Sequence, residues 1–340
     1  MITNFAELVN KNCAGIIFDF AEIIFEKFIR SNAMNNRIVV RVPGTSANCG
    51  SGFDCIGLAA TIYNDLDLTL LEDERLIIES SGEGADTIPT DEKNIVWKSA
   101  RIVLERAGLG EKFRGAIIRM ENHVPMSRGL GSSAAAIVAG LFAANEIIGK
   151  KFSKNDLLRF ATEIEGHPDN VAPAIFGGFT VSVVDKGQVQ TFSFLPKIKL
   201  KLIVAVPDFP LSTRTARQVL PKTVPLKDAI FNISRASMLV AALIQGKENF
   251  LSSAFDDALH QPYRKNLVPG MNDVFAAAKK SGALGVALSG AGPCLIAFSA
   301  ANKKIENEIA TEMVQAFKEN NINSNALILN LDTRGAFVIS

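Results

Sequence analysis

The densest chemistry in the sequence lies at Pro125-Met-Ser-Arg-Gly-Leu-Gly-Ser-Ser-Ala-Ala135. A strand pattern precedes it and an alanine-rich helical stretch follows, so Gly129 and Gly131 stand at a helix N-terminus. The first N–H groups of a helix have no intrahelical acceptor, and the helix dipole adds partial positive charge, so such a loop can hold an anion. Glycine lets backbone approach phosphate oxygens with no Cβ in the way. Ser132 and Ser133 can cap the helix or offer a hydroxyl to a metal ion. The same residues also suit a capped helix after a tight turn, with no ligand. The run is not GxxxxGK[ST], because no lysine follows the glycines, and GxGxxG does not fit 129–134. Two further stretches are polar and glycine-bearing. One is Val42-Pro-Gly-Thr-Ser-Ala-Asn-Cys-Gly-Ser-Gly-Phe-Asp54; the other is Leu288-Ser-Gly-Ala-Gly-Pro293. Each alone reads as an ordinary connection.

These loops need elements to hold them. At about 150 residues per domain, 340 residues allow two domains or one large one. Hydrophobic residues make up 48%, enough for a substantial core. A net charge of +1 offers no basic footprint for nucleic acid. Four cysteines without a CxxC pair and three scattered histidines argue against a disulfide framework or a zinc site. The composition predicts a reduced, cytoplasmic protein. Ile16 to Ile29 is apolar but interrupted by Asp19, Glu22, Glu26 and Lys27, which predicts an amphipathic helix, neither a membrane span nor a signal peptide. Ser31-Asn32-Ala33-Met34 resembles an expression-vector scar followed by a start methionine.

Periodicity predicts strands over 37–42, 63–71, 76–79, 116–121, 179–184, 190–194, 200–206, 286–288, 295–298, 326–331 and 336–339, with a loop over 43–57. It predicts helices over 94–107, 132–148, 154–165 (Ser153 as N-cap), 226–245, 248–256, 272–280 and 305–319. Strands clustered with helices, without strict alternation, argue α+β. The pattern divides near Pro196: a 1–33 extension, then domains over 34–196 and 197–340.

The three glycine-bearing stretches, in this order, resemble the GHMP kinase superfamily from about Arg37 to the C-terminus. PMSRGLGSSAA resembles its phosphate loop and SGAGP its C-terminal glycine motif. PGTSANCGSGFDCIGLA (43–59), EIEGHPDNVAPAIFGG (163–178), STRTARQVLP (212–221) and QPYRKNLVP (261–269) resemble the homoserine kinases within it. The resemblance implies an N-terminal α/β domain with a left-handed βαβ crossover, a C-terminal ferredoxin-like domain, and ligands meeting in the cleft between them. It implies phosphorylation of the L-homoserine hydroxyl by ATP with Mg²⁺, on the route to threonine, with no nucleic-acid or membrane partner. Homodimers are common in the family.

Homoserine is a zwitterion, so it needs cations for its carboxylate and an anion for its ammonium. A guanidinium can donate two parallel hydrogen bonds to a carboxylate. By resemblance, Arg217 and Arg264 hold the carboxylate, Asp54 faces the ammonium, and Asn48 and His167 hydrogen-bond the substrate. Pro125, Arg128, Gly129, Leu130, Gly131, Ser132, Ser133 and Ala134 contact the phosphates, and Asn94 contacts adenine. Ser133 and Glu163 take the metal, with Glu165 facing elsewhere on its helix. Asp169 or Asn170 approaches the accepting hydroxyl, with or without acting as a base, and Arg128 touches the outer phosphates. His123 and His260 read as structural or exposed, Cys49 and Cys55 as small reduced side chains, Trp97 as core. Another GHMP small-molecule kinase, for a mevalonate-pathway or sugar acceptor, and a non-catalytic binding protein of this fold are the competing readings.

Overall fold

The computed structural model describes residues 36–340. The helix expected within 16–29 and the start expected at Met34 lie outside the described residues. β1 (Arg37–Ala47) and β2 (Ile56–Leu71) form an antiparallel pair. Val40, Val42, Leu66 and Leu68 are buried, while Arg37 and Arg41 pair with Asp67 and Asp65, as period-2 alternation requires. Pro43 and Gly44 suggest that β1 stops at Val42. Instead a register shift between them carries the strand on to Ala47.

β3 (Leu76–Gly82), α1 (Ile95–Arg106) and β4 (Gly115–Asn122) make a βαβ unit whose strands are parallel neighbours. α2 (Ser132–Ile147) is buried over most of its surface, which its alanine content allows. Gly140 lies against α1, where a Cβ would stand 2.3 Å from the Val96 carbonyl oxygen. α3 (Lys154–Glu165) starts at a reciprocal Ser153–Asp156 capping box and ends at Gly166 in the left-handed region. α4 (Pro168–Phe176) is a helix that periodicity missed. Pro168 sits at its first position, where no N–H is needed, but two prolines in nine residues mask the helical pattern. β5 (Phe179–Asp185) and β6 (Gln188–Phe194) form the expected hairpin, attached to the start of β2.

The chain changes sheet between Phe194 and β7 (Leu200–Pro207). A helical crossover follows: α5 (Thr213–Gln218), α6 (Leu226–Gln245), α7 (Leu251–Ala254), α8 (Gln261–Arg264) and α9 (Met271–Lys280). The single helix expected over 248–256 resolves into a short 3₁₀ turn and α7. β8 (Gly285–Leu288), β9 (Leu295–Ala300), α10 (Glu306–Glu319) and β10 (Ser324–Asn330) complete an antiparallel sheet in the order β10-β7-β9-β8. That is the split-βαβ, ferredoxin-like arrangement. The last strand, β11 (Phe337–Val338), returns to pair with β1.

A shared core locks the halves together. Ile56, Leu58 and Phe179 from the first sheet pack with Leu202, Val204, Ile296 and Phe298 from the second. Each such side chain, fully buried, contributes roughly 1.5–3 kcal/mol. Among the described residues no helix is long and apolar enough to cross a membrane.

Candidate active site

The three glycine-bearing stretches meet where the two sheets join. The Thr45 N–H donates to the Leu130 carbonyl (2.9 Å), and the Cys294 N–H to that of Arg128 (3.0 Å). The Gly290 N–H donates to the Ala47 carbonyl (3.1 Å), and Asn48 Nδ2 donates back to that of Gly290 (2.8 Å). The Ser289 hydroxyl lies 2.6 Å from the Gly129 carbonyl oxygen and 2.8 Å from Ser46 Oγ. This packing explains the glycines. A Cβ on Gly129 would stand 2.2 Å from the Ser289 carbonyl oxygen, and one on Gly131 1.9 Å from Thr45 Oγ1. Both residues have φ in the left-handed region.

A cavity of about 450 Å³ opens beside this junction. Gly129, Gly131, Ser132 and Ser133 line one part of it at the start of α2. The first N–H to enter the helical ladder is that of Ala135, bonded to Gly131, so the N–H groups of residues 132–134 have no acceptor within the helix. Asp54, Arg217, Arg264, His167, Asp169 and Asn170 line the other part. The phosphate-type loop and the charged side chains therefore share one space.

Several expected contacts are corrected. Leu130 and Ala134 are fully buried in the core, so only their backbone reaches the loop. Arg128 is not part of the cavity wall; its carbonyl is held by Cys294. Asn94 lines the cavity, but its amide shapes the loop: Oδ1 accepts from the Val96 and Trp97 N–H groups at the start of α1, and Nδ2 donates to the Pro89 carbonyl. The largest change concerns the metal ligand. Glu163 lies outside the cavity, half exposed, paired with Arg106 (2.5 Å) and near Arg159 (3.7 Å). Glu165 lines the cavity, and the Ser133 hydroxyl donates to its Oε2 at 3.3 Å. Burial raises the Glu165 carboxyl above its ordinary value, against the opposing charge of His167.

Asp54 and Arg217 form a two-pronged ion pair at 2.8 and 3.0 Å. Asn48 Oδ1 accepts the Asp54 N–H (3.0 Å), so the Asn48 amide ties this loop to the Gly290 turn. Arg264 is 2% exposed and has no carboxylate partner within salt-bridge distance among the described residues. Burial, then the neighbouring Arg217 charge, lower it to about 10. Asp169 is buried at the first turn of α4 and accepts from His167 Nδ1 at 2.5 Å. Burial of His167 opposes its charged form, but the hydrogen bond and charge of Asp169 outweigh it, so its pKa is raised. Asn170 Oδ1 accepts from the Thr45 hydroxyl at 2.9 Å.

Burial pushes the Cys49 and Cys294 thiols up, and Cys55 to about 11. Residues missed by sequence reasoning include Thr45 and Phe53. Phe53 lies beneath the guanidinium carbons of Arg217 (5.9 Å) and Arg264 (5.3 Å). Both missed residues fall in the 42–54 stretch, Thr45 on the end of β1 and Phe53 in the turn after it, and its polar composition hides which side chains turn inward.

Comparison with known proteins agrees with this geometry. Residues 94–178 match the model of the GHMP kinases N terminal domain, and residues 239–320 that of the GHMP kinases C terminal. Homoserine kinase of Carboxydothermus hydrogenoformans is 46% identical over 272 residues, covering 80% of this chain and 88% of that protein. Homoserine kinase of Clostridium botulinum is 42% identical over 309 residues, covering 89% and 98%. The crystal structure of homoserine kinase from Cytophaga hutchinsonii superposes with a TM-score of 0.82 at 33% identity, covering 89% of this chain and 98% of that one. The L. major mevalonate kinase, solved in complex with R-mevalonate, shares the fold, with a TM-score of 0.61 at 16% identity, covering 88% and 96%. The chain belongs to the homoserine kinase family of the GHMP kinases.

Proposed function

We propose that this protein transfers the γ-phosphoryl group of ATP to the side-chain hydroxyl of L-homoserine, giving O-phospho-L-homoserine and ADP in the cytoplasm. One observation carries the reading: an anion-binding helix start and a charge set suited to a small zwitterion line the same cavity. The free N–H groups of Ser132, Ser133 and Ala134 receive phosphate oxygens, with the dipole of α2 behind them. The substrate carboxylate lies against Arg264 and Arg217. Asp54 exchanges Arg217 for the ammonium, so substrate replaces an ion pair already formed. His167 and Asn48 hold the surrounding wall.

Ser133 and Glu165 are the residues that would hold Mg²⁺. The donor set fits a hard cation, since a hydroxyl and a half-buried carboxylate with no salt-bridge partner among the described residues stand together at the phosphate loop. Bound there, the ion would neutralise charge on the phosphoryl oxygens. Among the described residues no group of three or more His, Cys, Asp or Glu is placed to hold a metal ion.

Asp169 orients the acceptor hydroxyl together with Asn170. Its carboxylate is already engaged by His167 Nδ1. A loose transition state requires little activation of the nucleophile, so the hydroxyl proton leaves late. Asp169→Asn should therefore lower kcat by less than about tenfold. A loss of roughly 10²-fold or more in steady-state assays would make Asp169 a general base.

A sugar acceptor would leave Arg264 buried without a carboxylate, and mevalonate, which has a carboxylate, would bring no ammonium to Asp54; the amino acid supplies both. ADP release coupled to a chromogenic reaction tests the choice among L-homoserine, mevalonate, galactose and no acceptor. Turnover with L-homoserine alone is expected. Equal rates on another acceptor would overturn the substrate, and folded protein that turns over none would point to a binding protein.

A further inference from the structure

His260 lies outside the machinery described so far. It is fully buried, directly before α8, and four residues ahead of Arg264. Its partners fix its protonation. Nε2 lies 2.8 Å from the Gly50 carbonyl oxygen, which can only accept, so Nε2 carries the hydrogen. Nδ1 lies 3.2 Å from Arg264 Nη1, which can only donate, so Nδ1 presents its lone pair. The ring is therefore the neutral Nε2–H tautomer.

The charged surroundings are compatible with a neutral ring. Asp257 stands 3.6 Å from Nε2, but its oxygens already accept four N–H bonds, from Leu259, His260 and Gln261 backbone and from Asn232 Nδ2. Burial lowers the pKa of His260, and the Arg264 charge adds to this against the charge of Asp257. Asp54 faces the same region and acts weakly in the opposite direction. Phe53 stacks on the imidazole with centroids 5.1 Å apart and also lies beneath the Arg264 guanidinium.

Arg264 has five N–H hydrogens. Nε donates to the Ala216 carbonyl (3.1 Å) and Nη1 to the Gly290 carbonyl (3.1 Å) and to His260. Among the described residues Nη2 has no acceptor, and Arg264 lines the cavity. Two carbonyls and one imidazole nitrogen thus hold Nε and Nη1 and leave Nη2 free.

We propose that His260 is a positioning residue for amino-acid binding: its Nδ1 lone pair fixes Arg264 so that Nη2 meets the substrate carboxylate. This rests on the reading of Arg264 as the carboxylate ligand. A pinned guanidinium loses less rotamer freedom on binding. Without the acceptor, one N–H is left unsatisfied in a buried site and the fork can turn toward it.

Two substitutions separate this role from a structural one. In His260→Asn, the amide oxygen can occupy the place of Nδ1 and keep the acceptor. In His260→Gln, the longer amide can reach the place of Nε2 and keep only the bond to Gly50. The expected result is a KM for L-homoserine raised about tenfold in His260→Gln, with the KM for ATP unchanged, and within about threefold of wild type in His260→Asn. A purely structural histidine gives the reverse order, and equal shifts in both KM values would equally overturn the proposal. ¹⁵N NMR of histidine-labelled wild-type protein covers the case in which neither variant folds. A bare Nδ1 is expected, and a proton on it would refute the role. Arg264→Lys keeps the two readings apart. If it leaves the homoserine KM unchanged, the carboxylate assignment fails. If it raises that KM while His260→Gln does not, only the role of His260 fails.

Discussion

Replacing Arg264 with methionine should lower kcat/KM for L-homoserine about a thousandfold and leave the KM for ATP within about twofold. Removing one partner of a buried charge pair costs 2–5 kcal/mol or more, and about 1.4 kcal/mol is tenfold. Arg264 is among the largest fully buried side chains, so its charge is screened little by solvent. Among the described residues no carboxylate lies within salt-bridge distance of it, and the proposed reading gives that place to the substrate carboxylate. Methionine also leaves the Ala216 and Gly290 carbonyls without this donor, so stability should fall by about 1–3 kcal/mol. Thermal denaturation separates that loss from the kinetic one. A variant that stays folded, with an unchanged homoserine KM, would remove Arg264 from the substrate site.

The second large effect is expected at Glu165. Glu165→Gln should reduce kcat by about 10²-fold and raise the Mg²⁺ concentration needed for half-maximal ADP release. The amide keeps the shape and an acceptor for Ser133 but removes the negative charge from the phosphate loop. Losing one preorganised electrostatic contact to the transition state typically costs about 10²–10³ in kcat. Glu163→Gln should change both quantities less than about twofold, because its carboxylate is engaged by Arg106 away from the cavity. The opposite ranking in a magnesium titration would restore Glu163 as the ligand.

That pair of glutamates shows where sequence legibility stopped. Residues two apart on a helix point in nearly opposite directions. Which of them faces the phosphate loop depends on how α3 lies against α1, where Arg106 captures Glu163. No local pattern encodes that contact. The phosphate loop was legible because its chemistry is local: glycines, then serines, then a helix of alanines. The capping box at Ser153 and the span of α6 were legible for the same reason. The extension of β1 beyond Pro43 was not, because a bulge is fixed by pairing with β2. Nor was the role of His260, whose two partners, Gly50 and Arg264, belong to different halves of the site.

The ion pair between Asp54 and Arg217 has a similar lesson. Sequence reasoning assigned one to an ammonium and the other to a carboxylate. The structure joins them to each other, at 2.8 and 3.0 Å. On the proposed reading, opposite charges gathered for a zwitterion would satisfy one another until the zwitterion arrives, which limits the cost of keeping both in a partly buried cleft.

The most direct measurement is a crystal structure with L-homoserine and a non-hydrolysable ATP analogue. The account predicts phosphate oxygens on the N–H groups of Ser132, Ser133 and Ala134, the carboxylate on Arg264 Nη2 and Arg217, and Asp54 turned from Arg217 to the ammonium. A nucleotide bound away from the start of α2, or an amino acid bound remote from Arg264, would contradict it.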